Sequence, residues 1–167
     1  MRMMRMMRMM SLMTMVMIAI VFGMSSCGSD DDDEKVEALA AQVAGSYTGN
    51  EVIMVMGDES SNDTKTYEFA KTSDVTLDMT VPEVGMGMMT IPSFSVKNIP
   101  LAQNGNTITG KVASYAGTVK NADGAEKAYT VSDVTVMFSD RTAVVKFTLK
   151  YGNMPMGMET TFTGTKK

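Results

Sequence analysis

Apolar and polar residues alternate along most of the chain after Gly45, the pattern of strands that bury one face. In the run 143–151 the odd-numbered residues are apolar and the even-numbered ones largely polar. The run 75–81 repeats the pattern, and a last strand is predicted over 154–164. The residues predicted to face inward in these three runs are Ala143, Val145, Phe147, Leu149, Tyr151, Val75, Leu77, Met79, Val81, Met154, Met156, Met158 and Phe162.

Turn-forming sequences separate the alternating runs, which predicts antiparallel hairpins rather than parallel crossovers. They lie at 59–63, Asn104-Gly105, Asp123-Gly124, Ser139-Asp140 and Gly152-Asn153. Apolar residues at helical spacing over 35–44, followed by Gly45, predict one short N-terminal helix. The predicted fold is therefore all-β: an antiparallel up-and-down barrel of about eight strands, whose closure removes the sheet edges.

The amino-acid composition limits the kinds of catalysis and covalent cross-linking that the chain can support. The chain of 167 residues has no histidine, no tryptophan and one cysteine, which excludes histidine acid–base catalysis, Cys/His nucleophile pairs and an intramolecular disulfide. Asp74, Asp78, Glu159 and Lys146 are expected to face solvent, so no carboxylate pair is predicted to work as acid and base. We expect no enzymatic activity, no catalytic residues, no cofactor and no metal site.

The first residues carry the pattern of a secretory signal. Arg2, Arg5 and Arg8 precede an uncharged run over 9–22, shorter than the roughly 20 apolar residues of a membrane span. The only cysteine follows directly, and Met24-Ser25-Ser26-Cys27 resembles the lipobox of bacterial lipoproteins. That resemblance implies a signal peptide over 1–26 and acyl chains on Cys27, which would attach the protein to a membrane. The alternative is an ordinary structural cysteine.

An acidic run follows the cysteine at Ser29, Asp30, Asp31, Asp32 and Asp33. Adjacent carboxylates repel one another, so 27–35 is predicted to be a flexible tether and 36–167 the barrel domain. The run also resembles the lipoprotein export signal of Bacteroidetes, which implies display on the outer face of the outer membrane. Without the three signal-peptide arginines, 12 basic residues face 19 acidic ones, and this acidic chain without a basic cluster is not expected to bind nucleic acid.

Three further stretches resemble the Bacteroidales calycin-like lipoproteins, which belong with the lipocalin-like barrels. They are 44–49, 85–100 and 154–166, and together they extend over nearly the whole predicted domain. Gly45-Ser46-Tyr47 is also similar to the lipocalin Gly-x-Trp that closes the base of the barrel, with tyrosine in place of tryptophan.

An eight-stranded barrel is either filled by side chains or just wide enough for one small ligand. The inward residues predict an apolar ligand or a cell-surface partner, and the candidate pocket lining is Tyr47, Met79, Phe147, Leu149, Met156, Met158 and Phe162. The alternative is a filled barrel that meets a protein or glycan through the loops 59–63 and 116–126. The methionines at 86, 88, 89, 154, 156 and 158 also leave open a Cu(I) site, although core packing explains them more simply.

Overall fold

The computed structural model describes residues 38–86 and 89–167, which form one short helix and ten strands. The helix α1 is Leu39–Val43, within the predicted 35–44, of which 35–37 lie outside the described residues. The strands are β1 Gly45–Val55, β2 Asp58–Lys71, β3 Thr76–Val81, β4 Val84–Met86, β5 Met89–Ile91, β6 Phe94–Asn104, β7 Thr107–Lys120, β8 Glu126–Ser139, β9 Thr142–Tyr151 and β10 Met158–Lys166.

Eight of the strands close into an antiparallel barrel in the order β1-β10-β9-β8-β7-β6-β3-β2. The barrel closes because β1 pairs with both β2 and β10, from Tyr47 opposite Lys166 to Val55 opposite Met158 on the β10 side. The strands β4 and β5 form a separate two-stranded hairpin inserted between β3 and β6. The predicted all-β, eight-stranded, up-and-down barrel with one short helix is confirmed.

The two ends of the barrel differ. The helix end carries α1 and the turns 72–75, 105–106 and 140–141, and the backbone N–H of Ala40 donates to the carbonyl of Asp74 there at 3.0 Å. The hairpin end carries the β4–β5 hairpin, the turn 56–57 and the connections 121–125 and 152–157. Because the described chain starts at residue 38, just before α1, it enters the barrel at the helix end.

Inward alternation is confirmed in β9 and, with one exception, in the predicted run 75–81. Residues Ala143, Val145, Phe147, Leu149 and Tyr151 are all buried. Leu77, Met79 and Val81 are also buried, whereas the inward prediction for Val75 is wrong because it is 54% exposed. Val75 lies in the turn 72–75, where its backbone N–H donates to the Ser73 hydroxyl at 3.2 Å, so the period of two has not yet begun.

In two strands, a left-handed residue shifts the alternation by one position. Asn98 in β6 and Asp133 in β8 both have φ near 55°. Such a residue acts as a bulge, which re-aims the side chains on either side of it. The buried residues are Phe94, Val96, then Ile99 and Leu101 in β6, and Tyr129, Val131, then Val134 and Val136 in β8.

The turns follow the prediction at four of five places. Asn104-Gly105, Asp123-Gly124, Ser139-Asp140 and Gly152-Asn153 all lie at connections between strands. The predicted loop 59–63 is wrong, because β2 runs through it and the chain reverses instead at Met56 and Gly57, with φ of 56° and 91°. The predicted loop 116–126 is likewise too long, since β7 continues to Lys120 and leaves only 121–125 outside the strands.

Candidate functional site

Six of the seven predicted pocket residues lie inside the barrel. They are Tyr47, Met79, Phe147, Leu149, Met158 and Phe162, each at most 4% exposed. A side chain that lined an open cavity would keep accessible surface, so these residues are covered by other side chains of the core. The structure places them in a filled core.

Met156 is the exception, and its predicted inward orientation is wrong. It is 39% exposed and lies in the connection 152–157, because β10 starts only at Met158 rather than at 154. Pro155 lacks a backbone N–H and so cannot donate to a sheet, which explains why the ladder does not reach this segment. With Met158 inside and Met156 on the surface, these two thioethers do not share a face for a Cu(I) site.

Tyr47 closes the helix end instead of lining a pocket. Its hydroxyl donates to the Val43 carbonyl at 3.1 Å, which ties β1 to the last residue of α1. Its ring packs edge-on against Phe69 with centroids 5.4 Å apart and against Phe138 at 5.6 Å. Burial raises the pKa of the Tyr47 hydroxyl. This position matches the role implied by the resemblance to the lipocalin Gly-x-Trp.

A carboxylic acid lies in the apolar interior, and the sequence analysis missed it. Glu51 is fully buried, and its Oε2 accepts a hydrogen bond from the Tyr67 hydroxyl at 2.5 Å. The Tyr67 ring stacks on Phe162 with centroids 4.1 Å apart and planes 10° from parallel. The other carboxyl oxygen, Oε1, has no hydrogen-bond partner among the described residues. Alternation would have found it, because Glu51 shares the face of Tyr47 and Ile53 in β1.

Burial governs the ionisation of this pair. Desolvation raises the pKa of Glu51, against the lowering effects of the Tyr67 hydrogen bond and the Lys65 charge, and Asp63 raises it further. Burial also raises the pKa of Tyr67 well above its usual range, with the neighbouring Glu51 adding to the effect. Both groups are therefore favoured in their neutral forms, as expected for acids removed from water.

A second aromatic group fills the barrel towards the hairpin end. Phe94 lies against Tyr129 with centroids 5.0 Å apart and against Phe147 at 6.2 Å. The Tyr129 side chain passes under Gly117, and a Cβ atom on residue 117 would overlap the Tyr129 hydroxyl. The Tyr129 hydroxyl donates to the Ser95 carbonyl at 2.7 Å. Tyr129 thus links β8 to β6 across β7.

A cleft of about 550 Å³, with both polar and apolar surface, opens at the hairpin end between the β4–β5 hairpin and the β7–β8 connection. Its lining residues are Glu83, Thr90, Pro92, Lys120, Asn121, Ala122 and Asp123. Two hydrogen bonds hold residues that line the cleft in place. The Lys65 ammonium donates to the Glu83 carbonyl at 2.8 Å, and the Tyr151 hydroxyl donates to Asn121 Oδ1. Carboxylate, ammonium, amide and hydroxyl groups together suit a ligand rich in hydrogen-bonding groups.

The three acids expected to face solvent do lie outside the core of the barrel. Asp74 and Glu159 are exposed, and Asp78 pairs with Lys97 at 2.9 Å on the outside of the barrel. No group of three potential metal ligands from histidine, cysteine and acidic residues occurs in 38–86 or 89–167. The absence of enzymatic activity stays a prediction.

The predicted lipidation and export residues lie outside the described part of the chain. They are Cys27, Ser29, Asp30, Asp31, Asp32 and Asp33. The predicted boundaries 1–26, 27–35 and 36–167 therefore stay predictions. No helix in the described residues is long and apolar enough to cross a membrane.

Residues 43–165 match the sequence profile of a family described as "Calycin-like beta-barrel domain". The barrel is also similar to the crystal structure of a candidate outer membrane protein from Bacteroides fragilis NCTC 9343, with a TM-score of 0.62 and 17% identity. The similarity covers 78% of this chain but 53% of that protein, so the chain spans about half its length. At this identity the likeness concerns the fold alone. No curated protein matches the chain significantly.

Proposed function

The chain belongs to the calycin-like β-barrel domain family, and from that premise we propose that it is a lipid-anchored outer-membrane protein that binds a polar ligand, a glycan, at the hairpin end of its barrel. The observation that carries the proposal is the contrast between a filled interior and an open cleft of about 550 Å³ outside it, to which charged, amide and hydroxyl side chains contribute. This contrast favours a barrel filled by side chains, which binds its partner through loops, over a barrel that carries an apolar ligand inside.

The anchoring half of the proposal rests on Cys27 and its resemblance to a lipobox. The name of the Bacteroides structure, a candidate outer membrane protein, supports an outer-membrane location. Within the barrel domain, α1 lies at the helix end, opposite the cleft.

A variant that fills the cleft tests whether the glycan binds there. Ala122→Trp places a large side chain among the cleft-lining residues, so binding to a glycan array should be lost while the thermal midpoint changes little. The matched control is Ser60→Trp on the exposed β1–β2 hairpin, which should retain binding. Equal glycan binding by the two variants, or none by the wild type, would remove the cleft as the ligand site.

The anchor is tested independently with Cys27→Ala. Acyl chains supply about 0.8 kcal/mol of membrane affinity for each buried methylene, so the variant should leave the membrane fraction. Fractionation after a high-salt wash measures this directly. A Cys27→Ala protein that still partitions with outer-membrane vesicles would show that the lipoprotein assignment is wrong.

A further inference from the structure

Lys65 is positioned between the buried acid Glu51 and the wall of the cleft. In the β1–β2 ladder, Asp63 lies opposite Glu51, and Lys65 is the next residue of β2 that points to the same face. Lys65 is thus a diagonal neighbour of Glu51, at a separation that a long side chain can bridge. The positive charge of Lys65 acts on the Glu51 carboxyl.

The Lys65 ammonium is bonded to the cleft wall and not to the acid. It donates to the Glu83 carbonyl at 2.8 Å, in the connection between β3 and β4. β2 and β3 pair from Glu68 to Lys71, nearer the helix end, so this hydrogen bond ties β2 to the cleft beyond that ladder. Glu83 is one of the residues that line the cleft.

The Glu51 carboxyl has room for a further hydrogen bond. Tyr67 donates to its Oε2, whereas Oε1 has no partner in the part of the chain that the structure describes. A carboxylate removed from water needs a cation or further donors far more than a neutral acid does. Ionisation of Glu51 therefore creates a demand that the present contacts do not meet.

Three groups of β2 act on the charge of Glu51, namely Tyr67, Lys65 and Asp63. Phe162, which lies opposite Glu51 on β10, carries no charge. Tyr67 is already bonded and Asp63 is an acid, so Lys65 is the member of the three that can neutralise a carboxylate. An ammonium is attracted more strongly to a carboxylate than to a neutral carbonyl, above all where water is excluded.

We propose that the Lys65 ammonium exchanges between two partners: the Glu83 carbonyl while Glu51 is protonated, and the Glu51 carboxylate once Glu51 is ionised. The exchange removes a hydrogen bond from the wall of the cleft and so makes the Glu83 position sensitive to pH. It rests on the proposed function only for its effect on glycan binding, which should weaken as pH rises.

A pH titration by NMR tests the exchange without any ligand. The isotope-labelled full chain is studied in detergent in a Glu83→Gln background, because the Glu83 carboxyl would otherwise titrate beside its own carbonyl. Burial raises the pKa of Glu51 above its ordinary value of 4.5, so its carboxyl carbon should titrate above that pH. The Val84 amide nitrogen, which shares a peptide bond with the carbonyl of residue 83, should shift with the same midpoint.

Two substitutions interrupt the exchange at its two ends. Glu51→Gln keeps the shape of the side chain but cannot ionise, so the titration at Val84 should disappear. Lys65→Met removes the ammonium, so Glu51 should still titrate, with a higher midpoint, while Val84 no longer follows it. Lys97→Met is the matched control, because Lys97 pairs with Asp78 at 2.9 Å on the outside of the barrel and should leave the shared midpoint unchanged.

Titration of Glu51 without a response at Val84 would overturn the proposal. A response at Val84 that persists in Glu51→Gln or in Lys65→Met would also overturn it, because the response would then come from another group, such as Asp63. Each variant tests the exchange by itself, so one that fails to fold does not end the test. The titration needs no glycan, so its failure leaves the glycan site standing, and failure of glycan binding leaves the exchange standing.

Discussion

At the scale of single residues, the unusual feature is a carboxylic acid inside an apolar barrel. Glu51 is fully buried with one oxygen bonded to Tyr67 and the other without a partner in the described chain. An ionised carboxylate there would lose its hydration without gaining an ion pair. Glu51 therefore couples the stability of the barrel to pH.

The prediction concerns Glu51→Gln. Because the pKa of Glu51 is raised from its ordinary value of 4.5, the folded state holds the proton more tightly than the unfolded state. The stability that this proton contributes to the folded state is fully present below the pKa of Glu51 in the unfolded chain. It is lost as pH rises through the pKa of Glu51 in the folded protein, at about 1.4 kcal/mol for each pKa unit between the two values. Because glutamine does not ionise, Glu51→Gln should not lose stability as pH rises. The unfolding free energy of the variant relative to that of the wild type should therefore grow with pH.

Urea denaturation at a series of pH values measures the effect. Glu159→Gln is the control, since that side chain is exposed on the neighbouring strand. If the difference in unfolding free energy between Glu51→Gln and the wild type stayed constant from pH 4 to pH 8, the raised pKa of Glu51 would be contradicted.

At the scale of elements, the register of β9 and β10 decides which side chains form the core. Phe147 lies opposite Thr160 and is buried, whereas Thr148 lies opposite Glu159 on the outer face. Phe147→Ala should cost about 3 to 5 kcal/mol through lost burial and a cavity. Thr148→Ala should cost less than about 1 kcal/mol. Chemical denaturation of the two variants gives the comparison, and equal losses would mean a register shifted by one residue.

The sequence could predict elements whose alternation is unbroken. The inward residues of β9 follow from their spacing, as do Met158 and Phe162 in β10. The shifts at Asn98 and Asp133 could not be predicted, because neither residue is a glycine and a left-handed backbone leaves no periodic signal. Met156 was assigned wrongly for a related reason: the alternation was extended through Pro155 into a connection.

The candidate site was predictable only in part. Alternation in β1 places Glu51 on the face of Tyr47 and Ile53, but its charge argued for solvent. The cleft forms only where the β4–β5 hairpin approaches the β7–β8 connection, and these segments are distant in sequence. Whether a barrel is filled depends on how aromatic rings from different strands pack, as Tyr67 does on Phe162.

At the scale of the whole molecule, the resemblance of the acidic run to an export signal predicts that this run directs the protein to the cell surface. Replacing Asp30, Asp31, Asp32 and Asp33 with alanine should keep acylation at Cys27 but lose exposure at the cell surface. Protease treatment of intact cells, followed by immunoblotting, measures the exposed fraction. Equal protease sensitivity of the variant and the wild type would leave the run as a spacer without an export role.

The pairing of β1 with β10, which closes the barrel, brings the first and last residues of the barrel domain close together. Tyr47 lies opposite Lys166, and the backbone N–H of Lys167 donates to the Ser46 carbonyl at 3.0 Å. A short linker could therefore join the ends, and new termini could be opened in the exposed turn at Met56 and Gly57, a circular permutation of the kind that surface turns tolerate. In that permutant the chain would begin and end at the hairpin end of the barrel, beside the cleft instead of opposite it.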